Sequence, residues 1–117
     1  MNILVIEDEP TSLKLAHVIL AAEGHDVKDA DAAEKALDTI RRDKPDVILL
    51  DLALPGMDGF ALARILKKNP DTKDIRIIAV TAYPDRYNEL DALAAGCDAY
   101  ITKPIDIKAL NKQVTLP

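Results

Sequence analysis

Short runs of aliphatic residues alternate along this chain with segments whose apolar positions recur every three or four residues. Ile3-Leu4-Val5-Ile6, Val47-Ile48-Leu49-Leu50 and Ile77-Ile78-Ala79-Val80 are continuous, as suits strands covered on both faces. With the weaker runs His25-Asp26-Val27-Lys28-Asp29 and Tyr100-Ile101-Thr102, they predict strands near 2–7, 25–29, 46–51, 75–81 and 98–102. Between the runs lie stripes at helical spacing: Leu13, Ala16, Ile19 and Leu20, then Ala33, Ala36, Leu37 and Ile40, then Leu62, Ile65 and Leu66. Leu90, Leu93 and Ala94 predict a fourth helix, and Ile107, Leu110 and Val114 a fifth. Asp31 with Glu34 reads as a capping-box variant, Asp58 and Asp106 as N-caps, and Gly24 and Gly96 as C-terminal caps. Pro45 and Pro70 stop the second and third helices.

Five βα units joined by right-handed crossovers make a doubly wound parallel sheet in a three-layer α/β/α sandwich. The second run is far more polar than the others, which suits an edge. A flavodoxin-like strand order of 2-1-3-4-5 puts it there and makes the first and third strands neighbours at the switch point.

Composition narrows the setting. The 117 residues are 49% hydrophobic and 30% charged, which is one domain with one core, read over residues 1–117. The final helical pattern runs only to about Val114 before Thr115-Leu116-Pro117, so the last helix is expected to be short or truncated. Cys97 is the single cysteine and Glu7-Asp8-Glu9 follows the first strand, so a reducing, cytoplasmic setting without a secretion signal is expected. The longest uncharged apolar stretch, Leu15 to Ala22, is too short to span a bilayer. A net charge of -5, with only Arg41-Arg42 and Lys67-Lys68 as basic pairs, disfavours direct nucleic-acid binding. Aromatics at 3% leave little for base stacking or a flavin.

The chemistry gathers where the runs end. Glu7 and Asp8 follow the first strand, Asp51 closes the third, Thr81 closes the fourth and Lys103 follows the fifth. In a parallel sheet all of them reach the carboxyl edge, where such folds bind ligands. Carboxylates held close raise one another's pKa unless a cation intervenes, and a hard divalent ion such as Mg²⁺ meets that need with oxygen ligands. Asp8 and Asp51 are the expected direct ligands, with Glu7 acting through water and the backbone carbonyl of Ala53 completing the set. A carboxylate oxygen of Asp51 can then act as a nucleophile toward a phosphoryl group. Lys103 is placed to bind one phosphoryl oxygen as a point charge and Thr81 to donate a hydrogen bond to another.

These residues resemble the response-regulator receiver domain of two-component signalling over the whole chain. The resemblance rests on Glu7-Asp8, on Asp51-Leu52-Ala53-Leu54-Pro55-Gly56-Met57-Asp58-Gly59, on Val80-Thr81-Ala82 and on Tyr100-Ile101-Thr102-Lys103-Pro104. It implies that Asp51 is the phosphoacceptor, Glu7 and Asp8 the metal pair, Thr81 the switch hydroxyl and Lys103 the phosphate-binding lysine. A cis peptide before Pro104 is implied too. Tyr100 carries over as the switch aromatic, with output on the surface of the fourth helix, last strand and last helix. The implied donor is a histidine kinase or histidine phosphotransfer protein, and the implied target is a downstream effector or a fused output domain. The implied role is a switch that promotes its own phosphorylation and dephosphorylation, not an enzyme. Glu7 stands where many receivers have Asp, a variation the family accepts. Ala53 and Tyr83, two places beyond Asp51 and Thr81, flank the expected path of a hydrolytic water and imply slow self-dephosphorylation.

Three other functions fit the residues less well. A haloacid-dehalogenase-type phosphatase needs a second Asp where Ala53 stands. A flavodoxin-like electron carrier cradles phosphate after the first strand, where three acids here would repel it. A receiver that binds partners without phosphorylation leaves the complete pocket unexplained. Gly56, Met57, Gly59, Cys97, His17 and His25 read as structural or surface residues.

Overall fold

The computed structural model describes residues 1–116. Among them, five parallel strands are ordered β2-β1-β3-β4-β5: β1 (Asn2–Ile6), β2 (Asp26–Ala30), β3 (Val47–Asp51), β4 (Arg76–Thr81) and β5 (Ala99–Thr102). Helices α1 (Pro10–Ala22), α2 (Ala33–Arg42), α3 (Gly59–Lys68), α4 (Glu89–Ala94) and α5 (Ile107–Thr115) alternate with them. The expected order and both switch-point neighbours are present, and the strand limits fall within one residue of those expected.

The continuous aliphatic runs have a direct cause in the layering. Along β1, β3 and β4, side chains alternate between two cores. Leu4, Ile6, Ile48, Leu50, Ile77 and Ala79 join one core, packed against α2 and α3. Ile3, Val5, Val47, Leu49, Ile78 and Val80 join the other, packed against α1 and α5. Neither face meets water, so neither face can be polar. β2 sits at an edge, where Lys28 pairs with Asp43, and His17 on α1 reaches Asp29 at 2.8 Å.

Helix ends follow the cap chemistry in most places. Asp58 and Asp106 accept backbone N–H groups in the first turns of α3 and α5. Gly24 and Gly96, at φ 86° and 105°, end α1 and α4. The α2 start departs from expectation: Ala32 occupies the N-cap, while Asp31 pairs with Lys35 four residues on and so is not available to cap. Glu9 caps α1 instead of merely trailing the acidic pair, accepting from Thr11 and Ser12.

The α4 stripe is also corrected. Leu90 and Leu93 are 80% and 47% exposed, and Ala94 is exposed, while Ala92 and Ala95 meet the core. A six-residue helix of this sequence fits either stripe, and it is the small side chains Ala92 and Ala95 that the fold buries. Ile65 and Ile107 likewise face solvent, leaving Leu62 and Leu66, and Leu110 and Val114, to bury α3 and α5.

The amino end of the sheet is tied by Lys67. Its ammonium donates to the carbonyls of Lys73 and Ile75 at 3.1 and 2.8 Å and to Asp98 at 3.1 Å. Asp98 in turn accepts from the N–H of Ile77. Arg76 fixes α5 by bonding both the backbone and the side chain of Gln113.

At the other end, Gly59 opens α3 hard against the chain leaving Asp51. A Cβ there would lie 2.6 Å from the Leu52 Cα and 3.0 Å from the Asp51 carbonyl oxygen. Gly59→Ala is therefore expected to destabilise the fold by about 1–3 kcal/mol, as overpacking does. Urea unfolding checks this, and an unchanged midpoint would contradict the contact.

Candidate functional site

Register brings the site together. β1 pairs with β3 in parallel, so the chain leaving Ile6 runs beside the chain leaving Leu50, and Glu7 and Asp8 meet Asp51. One carboxylate oxygen from each of Glu7, Asp8 and Asp51 falls within 4.8 Å of the others. β4 and β5 pair Thr81 with Thr102, which puts Lys103 one step beyond, and its N–H donates to the Thr81 carbonyl at 2.8 Å. The Lys103 side chain crosses to the acids. It hydrogen-bonds Glu7, and its ammonium lies 3.8 Å from Asp51 Oδ2. The Lys103-Pro104 peptide is cis, as the resemblance implied.

Glu7, Asp51 and Thr81 are buried, whereas Asp8 is exposed at the rim. Beneath Glu7 and Asp51 lies a cavity of about 10 Å³ lined by Val5, Leu49, Val80 and Ile105, room for one water at most. A ligand can therefore approach only from the open side. Asp51 Oδ1 accepts the N–H of Ala53 at 3.1 Å, leaving Oδ2 toward Lys103. Thr81 Oγ1 accepts the N–H of Tyr83 at 2.9 Å and keeps its own proton to donate. Tyr100 is half-buried, with its hydroxyl donating to the Tyr87 carbonyl at 2.6 Å.

The electrostatics of the acids point to a missing positive charge. Burial pushes the Glu7 carboxyl above its ordinary value, and the hydrogen bond and charge of Asp51 push it further. Lys103 and the Glu9 amide oppose this without cancelling it. Burial alone would lower Lys103, but the hydrogen bond it donates to Glu7 and the charges of Asp51, Glu7 and Glu9 hold its ammonium protonated above the usual lysine range. One ammonium serves several carboxylates, and three oxygen donors this close are the chemistry a hard divalent cation takes. The donor set fits Mg²⁺.

Cys97, His17, His25 and Met57 lie apart from the acidic cluster's carboxylates. Burial and the neighbouring Asp98 push the Cys97 thiol up to about 11, so it is a core filler and not a nucleophile. His17 engages Asp29, and His25 lies 3.3 Å from the amino terminus. Met57 packs on the core beside the Asp51 loop. Residue reading missed Phe60 and Tyr87, whose rings contact each other beside the site, because two isolated aromatics carry no periodic signal.

The parallel sheet carries an acidic cluster at its switch point, with Lys103 just past the last strand beside it. The chain belongs to the response regulator receiver domain family, whose model matches residues 3–115. Response regulator PleD of Caulobacter vibrioides is 40% identical over 105 residues, covering 90% of this chain and 23% of that protein. The chain thus spans about a quarter of that relative. A putative response regulator from Chloroflexus aurantiacus has a crystal structure with a TM-score of 0.92 at 30% identity, covering 97% of this chain and 93% of that one. The receiver domain of a Pseudomonas aeruginosa sensor histidine kinase superposes with a TM-score of 0.86 at 28% identity, covering 95% and 91%. That structure has a magnesium ion coordinated in its active-site cleft. No helix among the described residues is long and apolar enough to cross a membrane.

Proposed function

We propose that this chain is a phosphorylation-controlled switch whose acceptor is Asp51. The observation that carries the reading is the approach of Glu7, Asp8 and Asp51 oxygens to within 4.8 Å of one another beside the Lys103 ammonium. A carboxylate oxygen of Asp51 forms a bond to phosphorus as the phosphorus–nitrogen bond of a donor phosphohistidine breaks, and the imidazole leaves with a proton. The donor is a histidine kinase or histidine phosphotransfer protein. Asp8, Asp51 and the Ala53 carbonyl would hold Mg²⁺, with Glu7 acting through water, and the ion when bound would supply positive charge to the phosphoryl oxygens. Lys103 exchanges part of its pairing with Glu7 for a phosphoryl oxygen, and Thr81 turns its free proton to another.

The new charge biases the surface of α4, β5 and α5, with Tyr100 as the side chain that turns. The exposed Leu90, Leu93 and Ile107 give that surface apolar contacts for a downstream effector or a fused output domain. Residues 1–117 act as one receiver unit in the cytoplasm, promoting their own phosphorylation and dephosphorylation instead of turning over a separate substrate. Incubation with Mg²⁺ and acetyl phosphate, followed by intact-mass measurement, tests the reading. One phosphoryl adduct is expected, and its absence would favour a module that binds partners without phosphorylation.

The adduct is expected to persist. Ala53 offers an incoming water no polar partner, and Tyr83, 57% exposed, stands beside Thr81 with its N–H on the hydroxyl. A lifetime of minutes or longer in Mg²⁺ buffer is expected, and loss within seconds without a phosphatase would contradict the assignment.

A further inference from the structure

Three aromatic side chains are linked through Tyr87, whose ring meets Phe60 and whose carbonyl meets the Tyr100 hydroxyl. Phe60 is the second residue of α3, Tyr87 stands near the end of the loop between β4 and α4, and Tyr100 lies in β5. All three pack, partly buried, against the same core. The Phe60 and Tyr87 rings are tilted by 50° with centroids 5.6 Å apart, a geometry aromatic pairs favour. The Arg86 guanidinium covers the Tyr87 ring at 5.8 Å. The Tyr100 hydroxyl holds the Tyr87 carbonyl at 2.6 Å.

The loop between Thr81 and Tyr87 is a compact hydrogen-bonded unit. Its first link is the Tyr83 N–H on Thr81 Oγ1. The N–H groups of Arg86 and Tyr87 then return to the Tyr83 carbonyl at 3.0 and 2.9 Å. A pull on the Thr81 hydroxyl therefore reaches Tyr87 through one turn of chain. On the far side, Phe60 follows Gly59, whose N–H holds the Leu52 carbonyl at 3.0 Å, next to Asp51.

We propose that Tyr87 is a positioning residue that couples the two loops flanking Asp51, its ring carrying displacement to Phe60 and its carbonyl carrying displacement to Tyr100. The coupling rests on Asp51 being the phosphoacceptor. When the Thr81 hydroxyl turns to the phosphoryl group, the turn it anchors shifts, and Tyr87 moves the start of α3 and the Tyr100 ring together. Without the Tyr87 ring the two loops respond separately. Tyr87→Ala removes the ring and keeps the carbonyl, whereas Tyr100→Phe removes only the hydroxyl that holds that carbonyl.

Hydrogen exchange of the resting protein tests the contacts without phosphorylation. Phe60→Ala, Tyr87→Ala and Tyr100→Phe are each expected to raise exchange at Tyr83 to Asn88 by about 2- to 10-fold, the scale of one aromatic pair or one hydrogen bond. Tyr87→Phe keeps the ring contact and is expected to match the wild type. The second readout is the amide shifts of Gly59 to Ala61 on treatment with acetyl phosphate and Mg²⁺. The Gly59 N–H bonds the Leu52 carbonyl beside Asp51, so these amides also sense the adduct directly; in Tyr87→Ala, which still gains the full adduct mass and still shifts at Thr81, their shifts are expected to be clearly smaller than in the wild type. Unchanged exchange in all three variants, or shifts at Gly59 to Ala61 as large in Tyr87→Ala as in the wild type, would overturn the coupling. An adduct missing from the wild type overturns the phosphoacceptor reading instead, and the exchange data still decide the resting contacts.

Discussion

Asp51→Asn is expected to abolish phosphoryl acceptance while leaving the fold intact. The amide has the shape of the carboxylate, and its oxygen can still accept the Ala53 N–H that now binds Oδ1. What disappears is the negative oxygen facing Lys103, and with it the nucleophile. A neutral amide oxygen is a poor attacker, so the rate is expected to fall by about three orders of magnitude or more, as when an enzyme's nucleophile is removed. Stability is not expected to drop, because the substitution also relieves the repulsion that Glu7 feels from Asp51. Intact-mass measurement after acetyl phosphate treatment reads the adduct, and thermal unfolding reads the fold. A full adduct on the variant would move the acceptor elsewhere, with exposed Asp8 the first position to map.

The second large effect is expected at Glu7, where binding and stability move in opposite directions. Glu7→Gln removes a buried charge whose folded state favours the proton, because burial and Asp51 together outweigh Lys103. A carboxyl with a raised folded pKa binds more protons folded than unfolded, so stability falls as pH climbs from the ordinary value of 4.5 through the folded one. Above that window the penalty stays constant. In metal-free buffer at neutral pH, Glu7→Gln is therefore expected to raise the unfolding midpoint by about 2–6 °C, corresponding to about 1 kcal/mol. Its pH profile is expected to lack the decline expected of the wild type above 4.5. Mg²⁺ affinity is expected to fall by about 10- to 100-fold, as happens when an outer partner of a metal site is lost. A variant that is less stable than wild type without metal would show that the Lys103 pairing dominates the site instead.

The sheet and its reactive edge were legible because both depend on features that repeat or end abruptly. Strands buried on both faces must be continuous in Val, Ile and Leu, so Ile3 to Ile6, Val47 to Leu50 and Ile77 to Val80 announce themselves. The groups that end those runs have one place to go once the strands are parallel. Helix faces were less legible where the helix is short. Leu90 and Leu93 form as good a stripe as Ala92 and Ala95, and local spacing does not choose between them; the fold buries the alanines. Asp31 has two partners within reach, a backbone N–H and Lys35, and local spacing does not rank them. The contact between Phe60 and Tyr87 joins residues far apart in the chain, and no local rule pairs two isolated rings.

Lys67 makes the two ends of the sheet mechanically unequal. Its stem passes where a Cβ on residue 96 would lie 2.5 Å from the Lys67 Cγ, so only glycine lets the lysine reach its three partners. With those bonds made, the entry points of β4 and β5 are pinned to α3 as a stiff footing. The exits of the same strands lead to Thr81 and Lys103, where among the described residues the side-chain bonds are to Tyr83 and Glu7, both in loops. On the proposed reading, displacement at the exits passes to Tyr100 and to the start of α3, while the strand entries stay held by Lys67.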